Sequence, residues 1–236
     1  MKKYGIIGNP LGHSYSEQYF TELFERLGLD ADYCPYAIHN IEQVEGLMTE
    51  LDGFNVTYPY KESILPYLTD IDAIAQTIGA VNVVHHGKGY NTDWIGFRDS
   101  LRPMISPSQR ALLLGTGGVS KAIQYALRDL GISYTLVSRQ GGEANAIGYD
   151  QVDEKVIMEH TIIVNCTPLG MSPYVNELPS IPYEHLSEKH LLYDCIYNPA
   201  RTLFLRRGEE RGCSIKNGLE MLHLQADKAW EIWSAK

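Results

Sequence analysis

Four apolar residues, Ala111-Leu112-Leu113-Leu114, run straight into Gly115-Thr116-Gly117-Gly118, and a helical pattern follows. A strand that ends in glycines and hands over to a helix constrains the fold strongly, because it opens a parallel β-α-β unit whose helices cover the sheet. The glycines have a chemical meaning too. Backbone N–H groups at a helix N-terminus approach a pyrophosphate closely only where no Cβ obstructs them. Ser120 holds the last position of the G-x-G-x-x-G spacing and is small enough for close helix–strand packing. Gly115, Thr116, Gly117, Gly118 and Val119 are therefore candidate nucleotide-binding residues, with a plain tight turn as the competing reading.

The end of the next expected strand, Tyr134–Ser138, bears on the cofactor. An NAD site offers an acid about 20 residues on, to hold the ribose 2′-hydroxyl. Here Val137-Ser138-Arg139-Gln140 carries none, and Arg139 presents paired N–H donors and full charge to a 2′-phosphate. NADP is favoured over NAD, and Ser138 and Arg139 join the candidates. A solvated strand-end arginine is the alternative.

Upstream, Tyr4–Gly8, Cys34–Ile38 and Gly53–Thr57 read as strands, alternating with helices at Ser14–Leu27 and Ile41–Leu51. A helix near Ile71–Ile78 precedes a strand at Ala80–His85, turned at His86-Gly87 into Tyr90–Thr92, and Trp94–Leu101 is helical. Arg102–Ser108 breaks the pattern and marks a domain boundary. Beyond Leu130 come expected strands at Tyr134–Ser138, Thr161–Asn165 and Leu191–Cys195, and an amphipathic helix over Leu219–Trp233. The fold class is α/β with two domains: residues 1–100, with a mostly parallel sheet and joined by the C-terminal helix 219–236, and a Rossmann-like domain over 101–218.

A net charge of −9 over 236 residues argues against nucleic acid or an anionic membrane as the main partner. No apolar run reaches the ~20 residues that span a bilayer. The apolar part of the N-terminus is too short for a signal peptide. Cys34, Cys166, Cys195 and Cys213 are scattered, as expected of a reduced, cytoplasmic protein. His13, His85 and His86 lack metal-ligand partners, so no metal is assigned.

Two further segments carry chemistry. Asn55-Val56-Thr57-Tyr58-Pro59-Tyr60-Lys61 puts a lysine just past a strand end stopped by Pro59, and Asn91-Thr92-Asp93 puts a carboxylate at another. Together they suit a proton-handling pair, although Asp93 also suits the cap of the helix that follows. With Gly8–Ser16, Gly79-Ala80-Val81-Asn82, Gly96-Phe97, Asn165–Met171, Asp194–Thr202 and Asn217–Ala226 in this order, the chain resembles the shikimate dehydrogenases over nearly its whole length. The resemblance implies NADPH-dependent reduction of 3-dehydroshikimate to shikimate, a step in making aromatic amino acids. It implies Lys61 and Asp93 as catalytic residues. Ser14, Ser16, Asn55, Thr57, Asn82, Tyr197 and Gln225 would hold the substrate. Thr167, Met171, Gly218 and Met221 would complete the cofactor site.

Some residues depart from the family pattern or carry a plainer reading. Glu17 after Ser14 reads equally as a capping box. Tyr197, Met171 and Met221 are also read as packing residues. No basic residue follows Arg139 within Gly141–Asp150, which leaves room for NAD, and Glu220 stands where a smaller residue is common. The chain is shorter than most members after Leu101 and around Gly141–Tyr149. Rival readings are a quinate or aminoshikimate dehydrogenase using NAD or NADP, and a non-catalytic nucleotide-binding regulatory module. A homodimer stays open, since the sequence does not fix an oligomeric state.

Overall fold

The computed structural model describes residues 1–11, 15–106, 108–139 and 146–235. The chain forms two compact units, Met1–Thr92 with Gln225–Lys236, and Asp93–Leu224.

The first unit contains β1 (Lys2–Gly8), α1 (Tyr15–Leu27), β2 (Ala31–Ala37), α2 (Val44–Glu50), β3 (Gly53–Val56), β4 (Asp70–Ile71), α3 (Ala73–Ile78), β5 (Val83–His85) and β6 (Lys88–Tyr90). Its sheet has the order β2-β1-β3-β5-β6-β4. β1 pairs in parallel with β2 and β3, whereas β5 runs antiparallel to β3 and β6. The β5–β6 hairpin turns on His86 and Gly87, with φ of 48° and 75°. Positive φ at both central residues is the geometry whose twist matches a two-residue hairpin. One sheet face packs Ile7, Phe54 and Val56 with Val44, Ile64 and Ala75. The other packs Tyr4 and Ile6 with Phe20, Phe24, Tyr33, Ala229 and Trp233. Trp233 lies so close over Gly53 that a Cβ there would sit 2.5 Å from the indole, so only glycine fits. The indole N–H donates to the Val84 carbonyl at 3.0 Å.

The second unit contains α4 (Asp93–Leu101), β7 (Arg110–Leu114), α5 (Gly118–Asp129), β8 (Ser133–Ser138), β9 (Ile147–Gly148), α6 (Glu154–Glu159), β10 (Ile162–Asn165), β11 (Leu191–Asp194), α7 (Leu203–Glu210) and β12 (Ser214–Lys216). The helix α8 (Leu219–Ser234) begins here and ends in the first unit. The sheet is parallel throughout, in the order β12-β11-β10-β7-β8-β9. This doubly wound arrangement reverses direction between β7 and β10, the place where such sheets bind ligands. The core is mostly aliphatic, with Leu112, Leu114, Val137, Ile163 and Leu192 buried together with Phe204. α4 belongs here because Ser100 Oγ lies 2.7 Å from Tyr193 Oη and Trp94 packs edge-on against Tyr125.

The structure refines the expected elements. The first sheet is mostly parallel as expected, with β5 the strand that runs antiparallel to both its neighbours. The helix expected from Ile71 starts at Ala73, since Asp72 caps it by accepting from Ile74 N and Ala75 N. The helix expected from Ile41 opens with a 3-10 turn, Ile41–Gln43. α6, α7, β4, β9 and β12 are additional to the elements read from the sequence, and the strand expected at Tyr90–Thr92 is β6, Lys88–Tyr90. Among the described residues no helix is long and apolar enough to cross a membrane.

Among the described residues, Tyr4 Oη is the one buried side-chain polar atom without a hydrogen-bond partner. A buried, unmatched hydroxyl opposes folding. Tyr4→Phe is therefore expected to raise unfolding stability by about 1 kcal/mol in urea denaturation. A comparable loss would show that the hydroxyl has a partner.

Candidate active site

The first unit gathers uncharged polar side chains at the carboxyl ends of β1 and β3 and around the β5–β6 hairpin. Ser16, Asn55, Asn82, Thr92 and Gln225 are all buried. Asn82 lies at the centre. Its Oδ1 accepts from Thr92 N at 2.7 Å, and its Nδ2 donates to Thr92 Oγ1 at 3.0 Å and Gln225 Oε1 at 3.2 Å. Asn55 donates from Nδ2 to the Asn82 carbonyl at 3.3 Å and accepts at Oδ1 from Tyr33 Oη at 2.7 Å. The Ser16 hydroxyl lies near the Tyr33 phenol. Such groups persist in a protein interior only when matched, and a polyhydroxylated ligand is the kind of molecule they can match.

Lys61 sits in the turn beyond β3. Thr57 N donates to the Ile7 carbonyl at 2.9 Å, Tyr60 N to the Thr57 carbonyl at 2.9 Å, and Val81 N to the Lys61 carbonyl at 2.8 Å. The buried Tyr60 ring anchors the turn through its hydroxyl, 2.8 Å from the Ile38 carbonyl. Backbone bonds thus fix both ends of the segment that carries the lysine, which is half-buried. Ser14 lies outside the described residues, as does the Ser14–Glu17 capping box. Asp93 is the first residue of α4, buried, and counted with the second unit.

In the second unit, Gly115 follows β7 with φ of 108°, where a side chain is strained, and a Cβ would meet Thr167 Cγ2 at 3.0 Å. Gly117 precedes α5, and no described atom lies within 4 Å of where its Cβ would be. That open side beside the N-terminus of a 12-residue helix suits the approach of a phosphate. Ser120 is fully buried, as close helix–strand packing requires. Ser138 is buried at the end of β8 and Arg139 beyond it is exposed. The residues present therefore fit a dinucleotide with a 2′-phosphate. Thr116, Gly118 and Val119 belong to the same turn and the start of α5.

A buried carboxylate organises the neighbouring loops. Asp194 accepts from Thr202 Oγ1 at 2.6 Å, Ile196 N at 3.0 Å and Asn165 Nδ2 at 3.1 Å. Asn165 Oδ1 in turn accepts from Thr167 N at 3.0 Å and Thr167 Oγ1 at 2.7 Å. Thr167 is thereby held at the C-terminal end of β10. Met171 is exposed, Met221 buried and Tyr197 half-buried after β11. A Cβ at Gly218 would stand 2.2 Å from the Cys195 carbonyl oxygen, so glycine is required there. Among the described residues no group of three or more His, Cys, Asp or Glu side chains is arranged to hold a metal.

The structure thus brings Ser16, Asn55, Asn82 and Gln225 together in the first unit, and the glycine turn and Thr167 together in the second. Tyr197 and Asp93 fall in the second unit, apart from the other named substrate and catalytic residues in the fold's division. Tyr33 and the side chain of Thr92 were not singled out from the sequence. Thr92 lies inside the Asn91-Thr92-Asp93 segment without having been given a role, and Tyr33 lies outside every motif.

Residues 6–84 match the profile of the shikimate dehydrogenase substrate binding domain. A curated shikimate dehydrogenase (NADP(+)) of Desulforamulus reducens is 36% identical over 259 aligned positions, covering 98% of this chain and 89% of that protein. The chain belongs to the shikimate dehydrogenase family. Its structural neighbours agree. The Aquifex aeolicus shikimate dehydrogenase superposes with a TM-score of 0.88 at 34% identity, covering 99% of this chain and 92% of that one. The Thermus thermophilus shikimate 5-dehydrogenase, solved in complex with NADP(H) and shikimate, gives 0.88 at 31% identity, covering 99% and 94%.

In this family member, burial raises the Asp194 carboxyl from 3.8 to about 6, against the opposing pull of its bonds from Thr202, Ile196 N and Asn165. The folded protein holds this proton more tightly than the unfolded chain does. The contribution to stability is full below the unfolded value and is lost as pH rises through about 6. A carboxyl ¹³C titration of Asp194 is expected to give a midpoint near 6. A midpoint below 3.8 would mean that the three hydrogen bonds outweigh burial.

Proposed function

We propose that the protein catalyses the reversible, NADP-dependent interconversion of 3-dehydroshikimate and shikimate. The observation that carries this reading is the buried ring of neutral donors and acceptors, Ser16, Asn55, Asn82, Thr92 and Gln225, in the unit that matches a substrate-binding domain. A small cyclic acid rich in hydroxyls satisfies such a ring, and an apolar analogue leaves it unmatched. The domain roles follow: the first unit binds substrate and the second binds the dinucleotide.

NADPH, when bound, supplies the hydride for the keto carbon. Gly115, Thr116, Gly117, Gly118 and Val119 hold its pyrophosphate, Ser138 and Arg139 its 2′-phosphate, and Thr167, Met171, Gly218 and Met221 its nicotinamide end. Reduction of a ketone builds negative charge on its oxygen, and a positioned donor must meet that charge. Lys61 is that donor, carried on a turn whose backbone is fixed at both ends. Asp93 is the second catalytic residue and accepts from a substrate hydroxyl. Ser14, Ser16, Thr57 and Tyr197 complete the set that orients the ring and its carboxylate. The four cysteines are unpaired in the structure, which supports a reducing, cytoplasmic setting.

Lys61→Met is expected to lower kcat by roughly 100- to 10,000-fold with a smaller change in KM, measured by nicotinamide absorbance with shikimate and NADP. Near-normal turnover would defeat the role given to Lys61. Arg139→Ala is expected to raise the KM for NADP by about tenfold or more and to leave that for NAD nearly unchanged. Equal effects on both cofactors would remove Arg139 from the 2′-phosphate.

A further inference from the structure

We propose that Tyr33 is a positioning residue of the substrate site: by donating to the amide oxygen of Asn55 it fixes which way that side chain is turned, so that the amide offers an N–H to a proton-accepting oxygen of the bound molecule. The inference rests on the reading of this cluster as the substrate site.

The hydrogen-bond directions follow from what each atom can do. Asn55 Nδ2 faces the backbone carbonyl of Asn82 at 3.3 Å, and a carbonyl only accepts. The nitrogen is therefore on that side, and the amide assignment does not depend on a choice of flip. Oδ1 is left facing Tyr33 Oη at 2.7 Å, and an amide oxygen likewise only accepts, so Tyr33 donates. The phenol has one proton, now used, so toward the nearby Ser16 hydroxyl its oxygen can only accept. Burial holds the Tyr33 phenol well above its ordinary pKa, which keeps the donated proton in place.

Tyr33 is also mechanically fixed. Its ring stacks on Phe20 with centroids 4.6 Å apart and 18° between planes. It stands on β2, Asn55 stands on β3, and β1 lies between them. Tyr33 pairs with Tyr4 and Asn55 with Ile6, so both side chains leave the same face of the sheet, and the phenol reaches across the intervening strand. With Oδ1 engaged by Tyr33 and one N–H on the Asn82 carbonyl, the second N–H is the donor that Asn55 has left to offer. It matches a carboxylate, a keto oxygen or a hydroxyl acting as acceptor.

The test uses the full chain with Tyr33→Phe, Asn55→Ala and the double variant. Tyr33→Phe is expected to raise the KM for shikimate by about tenfold, with kcat within about threefold and the KM for NADP unchanged. In the Asn55→Ala background the same change is expected to add nothing, because the residue through which Tyr33 acts is gone. Additive effects, or a lowered melting temperature with an unchanged KM, would overturn the proposal. A second readout needs no turnover. The wild-type protein is expected to show a slowly exchanging Tyr33 hydroxyl proton close to the Asn55 side-chain amide, and Tyr33→Phe to shift those amide resonances. Absence of that proton, or unmoved resonances, would overturn the proposal whatever the activity. A wild-type protein inactive on shikimate with NADP and NAD alike would instead defeat the proposed function, while the amide resonances would still decide the role of Tyr33.

Discussion

Uncharged amides buried away from water must be matched atom for atom, and this requirement shapes the first unit. Asn82 sits where three chain segments meet, and its side chain bonds to Thr92 and Gln225 while its main chain bonds to β3 and β6. Each partner is then constrained in turn. Gln225 is near the middle of α8, so the Asn82–Gln225 bond ties the C-terminal helix to the hairpin region of the sheet. Trp233, two turns further along the helix, closes over Gly53 and bonds the Val84 carbonyl. Aromatic packing supplies the apolar burial that holds α8 in place, and the amide bonds determine its rotation and register.

The second unit solves a different problem with a different device. Its parallel strands all end at one edge, where loops have no ladder to complete their hydrogen bonding. Asp194 takes three donors at that edge, from Asn165 on the neighbouring strand and from Ile196 and Thr202 in the loop that follows. A carboxylate suits this role because it only accepts, with two oxygens that several donors can share. Gly115 and Gly218 then mark the places where the backbone comes too close to a neighbour for a side chain to fit without strain.

Much of this was legible in the residues. The glycine turn after an apolar run announced a strand–helix unit, and β7 and α5 stand where it placed them. Lys61 was named from its place past a proline-stopped strand end, and β3 does end ahead of Pro59, at Val56. Other features were not read. β5 was correctly paired through the His86-Gly87 hairpin, yet its antiparallel insertion beside β3 depends on which strand edge remained open after β1 had paired. α6 is too short to show a period, whereas α7 does carry an amphipathic pattern, with Phe204, Leu205 and Gly208 buried behind the Thr202 cap, and could have been read. Tyr33 reads as an unremarkable strand residue, since nothing in a linear chain says that β1 will stand between it and Asn55.

Local chemistry is written in the sequence because it depends on neighbours along the chain: where φ must be positive, where a ladder must stop, which side chains can donate a proton. That was enough to establish an α/β chain, a dinucleotide turn and a candidate acid–base pair. Direction belongs to the tertiary structure. Which way an asparagine turns its amide depends on which distant groups fold against it, and here a carbonyl on one side and a phenol on the other determine that for Asn55.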